Sequence, residues 1–275
     1  MKRPLVWGHR GAMAFAPQNT VESFLLAQEQ GADGVELDVQ LTSDGVLVVF
    51  HDARVDALTD GKGPLASLPW QTVRRLDAGS HFGPGWGHVK IPTLEDVLAA
   101  LDPRLTVNVE LKTALSEESW WDKWLSLLTG PRKLSESRIQ VARDEAQPLA
   151  EATVRVLAAD PGRFLISSFD PLALAAVAPL LPGVPLGFLH SRTVPWDTPT
   201  LMAAIDHQAW HPHHSQVNSA SVARERAAGR RVHVWTVNDG AQAVRLARLG
   251  ADALITNRPG EIIASLEERG ALANS

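Results

Sequence analysis

An alternation constrains this chain more than any single motif does. Short apolar runs of β character recur at residues 5–7, 34–39, 46–50, 105–112, 164–169, 184–189, 209–214, 231–238 and 252–256. Helical periodicity lies between most of them, at 21–30, 93–101, 144–159, 171–181, 221–228 and 241–249, and again from Gly260. Strands that alternate with helices must run parallel, because a strand can return in the same direction only through a crossover of a dozen residues or more. A chain of 275 residues fits one α/β barrel, a (β/α)8 TIM barrel of about 250 residues. Nine candidate strands for eight barrel positions leave one over, either an extra or the partner in a hairpin. An open doubly wound sheet is the competing fold. It is disfavoured because no glycine-rich nucleotide loop follows the first strand and because polar strand ends are spread along the whole chain.

Polar chemistry collects at those strand ends. In Val35-Glu36-Leu37-Asp38-Val39 the two carboxylates share one face of a strand, since residues i and i+2 point the same way. Two like charges flanked by apolar residues need a cation between them, and oxygen ligands favour magnesium, calcium or manganese over zinc. A wet edge strand is the plainer alternative. Thr42-Ser43-Asp44-Gly45 signals a turn, and His51-Asp52 follows the next apolar run. A simple hairpin folded about Ser43-Asp44 would lay His51 opposite Glu36. A parallel strand would instead bring both to one rim.

Gly8-His9-Arg10-Gly11 ends the first strand with a planar cation suited to phosphate, flanked by glycines that permit close approach. Asn19 or Thr20 caps the following helix. Asn108, Glu110 and Lys112 share a face of the strand at 105–112, adding a third carboxylate and a lysine able to meet a metal-bound anion. The alternative there is a Glu110–Lys112 surface pair. His211, His213 and His214 invite a metal reading, but imidazoles suit zinc or copper, so they are set aside as non-catalytic. The Trp120-Trp121-Asp122-Lys123-Trp124 segment reads as the aromatic packing stripe of a helix. Residues 53–104, with glycine-rich loops and one short helix near 69–76, read as an insertion rising from the rim at His51, able to cap the site.

Net charge is -5 with no basic run, which argues against nucleic acid as a partner. The absence of cysteine rules out disulfides and thiol chemistry. No stretch approaches the ~18 apolar residues of a membrane span. The opening Met1-Lys2-Arg3-Pro4 precedes only three apolar residues, too few for a secretory signal, so a cytoplasmic protein is expected.

Taken in order, Gly8-His9-Arg10-Gly11, Pro17-Gln18-Asn19-Thr20, Gly34-Val35-Glu36-Leu37-Asp38-Val39, His51-Asp52, Ile91-Pro92-Thr93-Leu94, Asn108-Val109-Glu110-Leu111-Lys112, Ser167-Ser168-Phe169 and Trp235-Thr236-Val237-Asn238 resemble the motif series of glycerophosphodiester phosphodiesterases, from residue 5 to about 260. The lack of a signal sequence resembles the cytoplasmic bacterial branch. The resemblance implies a single barrel domain over 1–275 with 53–104 as an inserted capping subdomain. It implies hydrolysis of glycerophosphodiesters, small molecules such as glycerophosphocholine and glycerophosphoethanolamine, to sn-glycerol 3-phosphate and an alcohol. It implies His9 and His51 as the acid–base pair, and Glu36, Asp38 and Glu110 as ligands of one divalent cation, magnesium or calcium, with manganese also admitted. Arg10 and Lys112 match phosphate-binding cations, and Phe169 and Trp235 the hydrophobic side of a glycerol pocket. The family's attacking group is the glycerol 2-hydroxyl, which forms a cyclic phosphate that water then opens.

Two positions depart from the family pattern. Gln18 stands where glutamate is usual, which puts a charged contact to Arg10 in question. Ala57-Leu58-Thr59 replaces the usual Arg-Thr pair, which leaves the leaving-group contacts open. The carboxylate and histidine pattern also resembles phosphoinositide-specific phospholipase C and sphingomyelinase-type lipid phosphodiesterases. A non-catalytic phosphate- or metal-binding barrel is the other alternative. The alcohol, the order of the two histidines and the oligomeric state are open at this level.

Overall fold

A computed structural model of the chain describes residues 3–113, 136–190 and 205–272. Among them, nine strands form one sheet. Eight run parallel: β1 (Leu5–His9), β2 (Gly34–Leu41), β4 (Thr106–Leu111), β5 (Phe164–Ser168), β6 (Leu186–His190), β7 (Ala209–Pro212), β8 (Arg231–Val234) and β9 (Ala253–Thr256). The order β1-β9-β8-β7-β6-β5-β4-β2 closes on itself through a β1–β2 pairing, so the sheet is an eight-stranded barrel. The ninth strand, β3 (Leu47–Val49), pairs antiparallel with β2 outside the closed ring. The surplus strand is thus a hairpin partner.

The hairpin register differs by one residue from a fold about Ser43-Asp44. Val39 pairs with Val49, and the Phe50 N–H donates to the Asp38 carbonyl at 3.0 Å. The cause is a three-residue loop. Thr42 N–H donates to the Val46 carbonyl, and Gly45 sits at φ 80°, a conformation that adds one residue to the turn.

Alternation along the strands sorts the core. Val35, Leu37, Val39, Val107, Val109, Leu111 and Ile166 point outward and pack with Phe24 and Ala27 of α1 (Val21–Glu29), Leu94 and Val97 of α3 (Leu94–Ala100), and Leu149 of α4 (Glu136–Leu157). Leu174 and Val177 of α5 (Pro171–Leu180) complete this side. The other side is covered by α6 (Ser219–Ala227), α7 (Gly240–Leu249) and α8 (Pro259–Leu272), whose Val222, Leu246 and Ile262 meet Val232, Val234 and Leu254. Fully burying a Leu or Phe side chain stabilises the fold by about 1.5–3 kcal/mol. Inside the barrel, Trp7, Leu165, Ala209, Ala253 and Ile255 form a separate apolar floor.

Local signals set the helix starts. Thr20, not Asn19, caps α1, accepting from Ser23 N–H. Thr93 and Asp96 form a capping box on α3. Asn218 and Ser221 do the same for α6, so that helix starts two residues before the periodicity suggested. Among the described residues α4 already runs from Glu136, ahead of the expected Asp144, and its turns before Asp144 are largely solvent-facing and carry little apolar pattern. The tryptophan stripe expected at 120–124 lies outside the described residues.

Between β3 and α3 the chain forms two 3-10 turns, Val55–Ala57 and Leu65–Ser67, and the one-turn helix α2 (Trp70–Val73). Val55, Leu65, Val73, Ala78 and Ile91 pack on Val48 and Phe50 as a small cluster of their own, whereas Leu94, Val97 and Leu101 join the main core. No helix among the described residues is long and apolar enough to cross a membrane.

Candidate active site

His9, Arg10, Glu36, Asp38, Glu110, Lys112, Phe169 and Trp235 lie on barrel strands or just beyond their C-terminal ends, the face on which barrels of this type build their chemistry, whereas His51 follows β3, the hairpin strand outside the ring. Register brings the carboxylates together. His9 aligns with Glu36 across β1–β2, and Asp38 aligns with Glu110 across β2–β4. Ligand atoms of Glu36, Asp38 and Glu110 lie within 4.8 Å of one another, and all three side chains are buried. Glu110 and Lys112 are therefore no surface pair.

Cations surround this cluster incompletely. Arg10 Nε lies 3.1 Å from Asp38 Oδ2, and the Arg10 backbone N–H donates to Glu36 Oε2 at 3.0 Å. Lys112 Nζ donates to Glu110 Oε1 at 3.1 Å. Arg10 Nη1 donates to Gln18 Oε1 at 2.5 Å, so the contact questioned at this position exists, with a neutral acceptor. Burial, then the charges of Asp38 and Glu110, push Glu36 well above the usual carboxylate range. Glu110 is also raised by burial, with Lys112 opposing and Asp38 adding. Burial works against charge on Asp38 too, yet Arg10, His51, Lys112 and the Asn19 amide together hold it below its ordinary value. Lys112 is raised, the pull of Glu110 and Asp38 outweighing its burial. Three buried carboxylates face two cations, and Asp38 Oδ1 accepts no hydrogen bond among the described residues. The oxygen-only donor set and this unmet atom fit a divalent cation.

The backbone around Arg10 is arranged for these contacts. Arg10 itself adopts φ 50°, an uncommon conformation for a side-chain-bearing residue. Gly11, at φ 83°, lies so close to α1 that a Cβ there would meet the Ser23 backbone at 2.5 Å. The chain therefore folds tightly enough to aim both the N–H and the guanidinium of Arg10 at the carboxylates.

Both histidines are oriented by a neighbour. His9 Nδ1 is 2.7 Å from Asn257 Oδ1, which makes Nδ1 the protonated nitrogen and leaves the Nε2 lone pair 4.0 Å from Glu36 Oε2. Burial first, and Arg10 second, push the His9 imidazole down to about 3 against the Asn257 contact, so it is neutral at pH 7. His51 Nδ1 is 2.6 Å from Asp52 Oδ1, a contact that pulls Asp52 below its ordinary range. Gln40 Nε2 donates to the carbonyls of Phe50, His51 and Asp52 at 2.9, 3.0 and 3.1 Å, which pins the loop that carries His51. Phe169 and Trp235, half-buried at the ends of β5 and β8, meet edge to face at 5.5 Å.

Four contributors escape a reading of the sequence: Asn19, Gln40, Asp52 and Asn257. Asn19 looked like a helix cap, but its buried amide donates to Asp38 Oδ2 at 2.8 Å. Its place inside Pro17-Gln18-Asn19-Thr20 was the available signal. Asn257 lies 248 residues from His9 and carried none. The set-aside histidines stay apart from the carboxylates. His211 is buried against His233, and His213 and His214 stack at the rim beside Trp235.

The model of the glycerophosphoryl diester phosphodiesterase family matches residues 9–261. The chain belongs to that family. It is a glycerophosphodiester phosphodiesterase, a phosphoric diester hydrolase. A glycerophosphodiester phosphodiesterase of Caldanaerobacter subterraneus subsp. tengcongensis is 31% identical over 98% of this chain and 100% of its own length. A phosphodiesterase of Oleispira antarctica, solved in complex with its product sn-glycerol 3-phosphate, is 29% identical with a TM-score of 0.78 over 96% of this chain and 97% of that one. A Silicibacter pomeroyi structure, 24% identical over 98% of this chain and 94% of its own, shares the fold at a TM-score of 0.79.

Proposed function

We propose that the enzyme hydrolyses glycerophosphodiesters such as glycerophosphocholine and glycerophosphoethanolamine to sn-glycerol 3-phosphate and the free alcohol. One divalent cation, magnesium or calcium, is held by Glu36, Asp38 and Glu110. The observation that carries this reading is the buried carboxylate triad, under-compensated by its two cations and flanked by an oriented neutral histidine. The bound cation supplies charge neutralisation to the phosphodiester as charge builds on the phosphoryl oxygens. Arg10 and Lys112 bind the same phosphate, and Phe169 with Trp235 lines the apolar side of the glycerol. Of residues 53–104, the part before α3 caps the His51 side of the site, seated through the small cluster on Val48 and Phe50.

His9 acts as base in the first step, in keeping with its neutral imidazole and available Nε2. It takes the proton of the glycerol 2-hydroxyl as that oxygen attacks phosphorus. The bond from phosphorus to the alcohol oxygen breaks, and His51 protonates the departing alkoxide. The product of this step is a cyclic phosphate. In the second step His51 takes a proton from water as the water oxygen attacks phosphorus, the bond from phosphorus to the 2-oxygen breaks, and His9 returns its proton to that oxygen, giving sn-glycerol 3-phosphate. Each such proton transfer contributes roughly 10²–10⁴-fold in rate.

The test is release of sn-glycerol 3-phosphate from glycerophosphocholine after chelation, with magnesium, calcium and manganese restored singly, for the unaltered enzyme and for His51→Ala. Metal-dependent release that falls roughly 10²–10⁴-fold in the variant is expected. Release of choline phosphate from a lipid instead, or equal rates in the variant, would overturn the reading.

A further inference from the structure

Beside the carboxylates, the barrel interior holds polar side chains whose hydrogen-bonding atoms are unmet. Their direction follows from strand alternation. Val107 and Val109 pack outward, so Asn108 points in, and Ile166 packs outward, so Ser167 points in. Trp210 lies in the outer core beside Val232 and Val234, which turns His211 and His233 inward. Asn108 is 1% exposed, and Ser167 and His211 are 0% exposed. Both polar atoms of the Asn108 amide, Ser167 Oγ, His211 Nδ1 and Trp7 Nε1 are buried and carry no hydrogen bond among the described residues.

These atoms belong to four different strands, β1, β4, β5 and β7, so no side-chain flip pairs them all. They are chemically complementary: the indole only donates, while the amide, hydroxyl and imidazole offer acceptors as well. Native interiors leave few buried polar atoms unpaired, and such atoms are met by bound water, which takes about three partners each. Burial keeps both imidazoles neutral, His233 pushed down to about 3, so the layer adds no charge of its own. Register sets it against the site: Asn108 lies beside Glu36 on the neighbouring strand, and Ser167 beside Glu110. The hydrogen bonds described for these two carboxylates come from Arg10 and Lys112, to Glu36 Oε2 and Glu110 Oε1.

We propose that this layer is a site for bound water, and that Asn108 and Ser167 are positioning residues that hydrogen-bond through it to Glu36 and Glu110, orienting the metal ligands from the neighbouring strands. The inference rests on the metal reading of those carboxylates. Removing either polar group leaves the water a partner short and lets a ligand carboxylate rotate.

The experiment is calorimetric titration of the metal-free enzyme with Mn²⁺, alongside a high-resolution crystal structure. Ser167→Ala and Asn108→Leu are expected to weaken Mn²⁺ binding about 10–100-fold, the usual effect of losing a partner behind a metal ligand. Ser167→Thr, which keeps the hydroxyl, is expected to retain the wild-type affinity. Ser167→Ala removes one atom and carries the test should Asn108→Leu fail to fold. A water bonded to Asn108 or Ser167 in the crystal structure is expected, and a dry layer would overturn the inference. Unchanged Mn²⁺ affinity in Ser167→Ala would overturn it alone. No Mn²⁺ binding by the unaltered enzyme would overturn the metal reading together with it.

Discussion

Gln40 shows how much of this site depends on residues that never meet substrate. Its single amide nitrogen serves three successive carbonyls around His51, and so fixes the backbone from which that imidazole projects. Gln40→Ala removes those hydrogen bonds without touching the carboxylate triad. A misplacement of about 1 Å in a reacting group costs up to roughly 10²-fold. The expected result is a fall in kcat of that order with Mn²⁺ affinity unchanged, read by steady-state kinetics beside calorimetry. Wild-type kcat would mean that the Asp52 contact alone orients His51. Asn19 and Asn257 follow the same logic, each satisfying one hydrogen bond of a group that must point in one direction.

At the scale of elements, the piece between β3 and α3 is the one most separable from the barrel. Its apolar residues form their own small cluster rather than joining the main core. Leu65 is fully buried there, at the start of a 3-10 turn, and holds the piece against Val48 and Phe50. Leu65→Ala opens a cavity costing about 2–5 kcal/mol locally. Because the barrel core is untouched, the expected signature is lost amide-exchange protection confined to residues 51–93 and a raised KM. Global unfolding with no prior local loosening would show that this piece and the barrel are one cooperative unit. A changed KM without loosening would assign Leu65 a direct role toward substrate.

For the whole molecule, the buried histidines predict a pH dependence of stability. His211 and His233 share a hydrogen bond of 2.9 Å inside the barrel, and burial lowers both, His233 to about 3. In the unfolded chain each titrates near its ordinary value of about 6.5. Below that value the unfolded state binds protons that the folded state refuses, so stability is full above about pH 6.5 and falls as pH drops. The slope is up to about 1.4 kcal/mol per pH unit for each histidine. Urea unfolding at intervals between about pH 7 and pH 5 should show this decline, and His233→Phe should flatten it. An unchanged slope in the variant would place the acid sensitivity elsewhere.

The alternation of strands and helices determined a parallel sheet by itself, because period and crossover length allow no other return, and the polar strand ends spread along the whole chain favoured a closed barrel over an open doubly wound sheet. The pairing of carboxylates at i and i+2, and the ordered motifs around them, were equally legible, since a strand's two-residue period is a local property. The choice of Thr20 over Asn19 as the cap of α1, the three-residue hairpin loop and the helical turns of α4 ahead of Asp144 were not, for they turn on φ angles and solvent exposure that neighbouring residues decide. What only the tertiary structure decided is which distant groups complete the site. Asn257 reaches His9, Asn19 reaches Asp38, and Gln40 gathers the carbonyls around His51. Those contacts depend on strand register and on closure of the sheet between β1 and β2, which bring together residues that no local periodicity links.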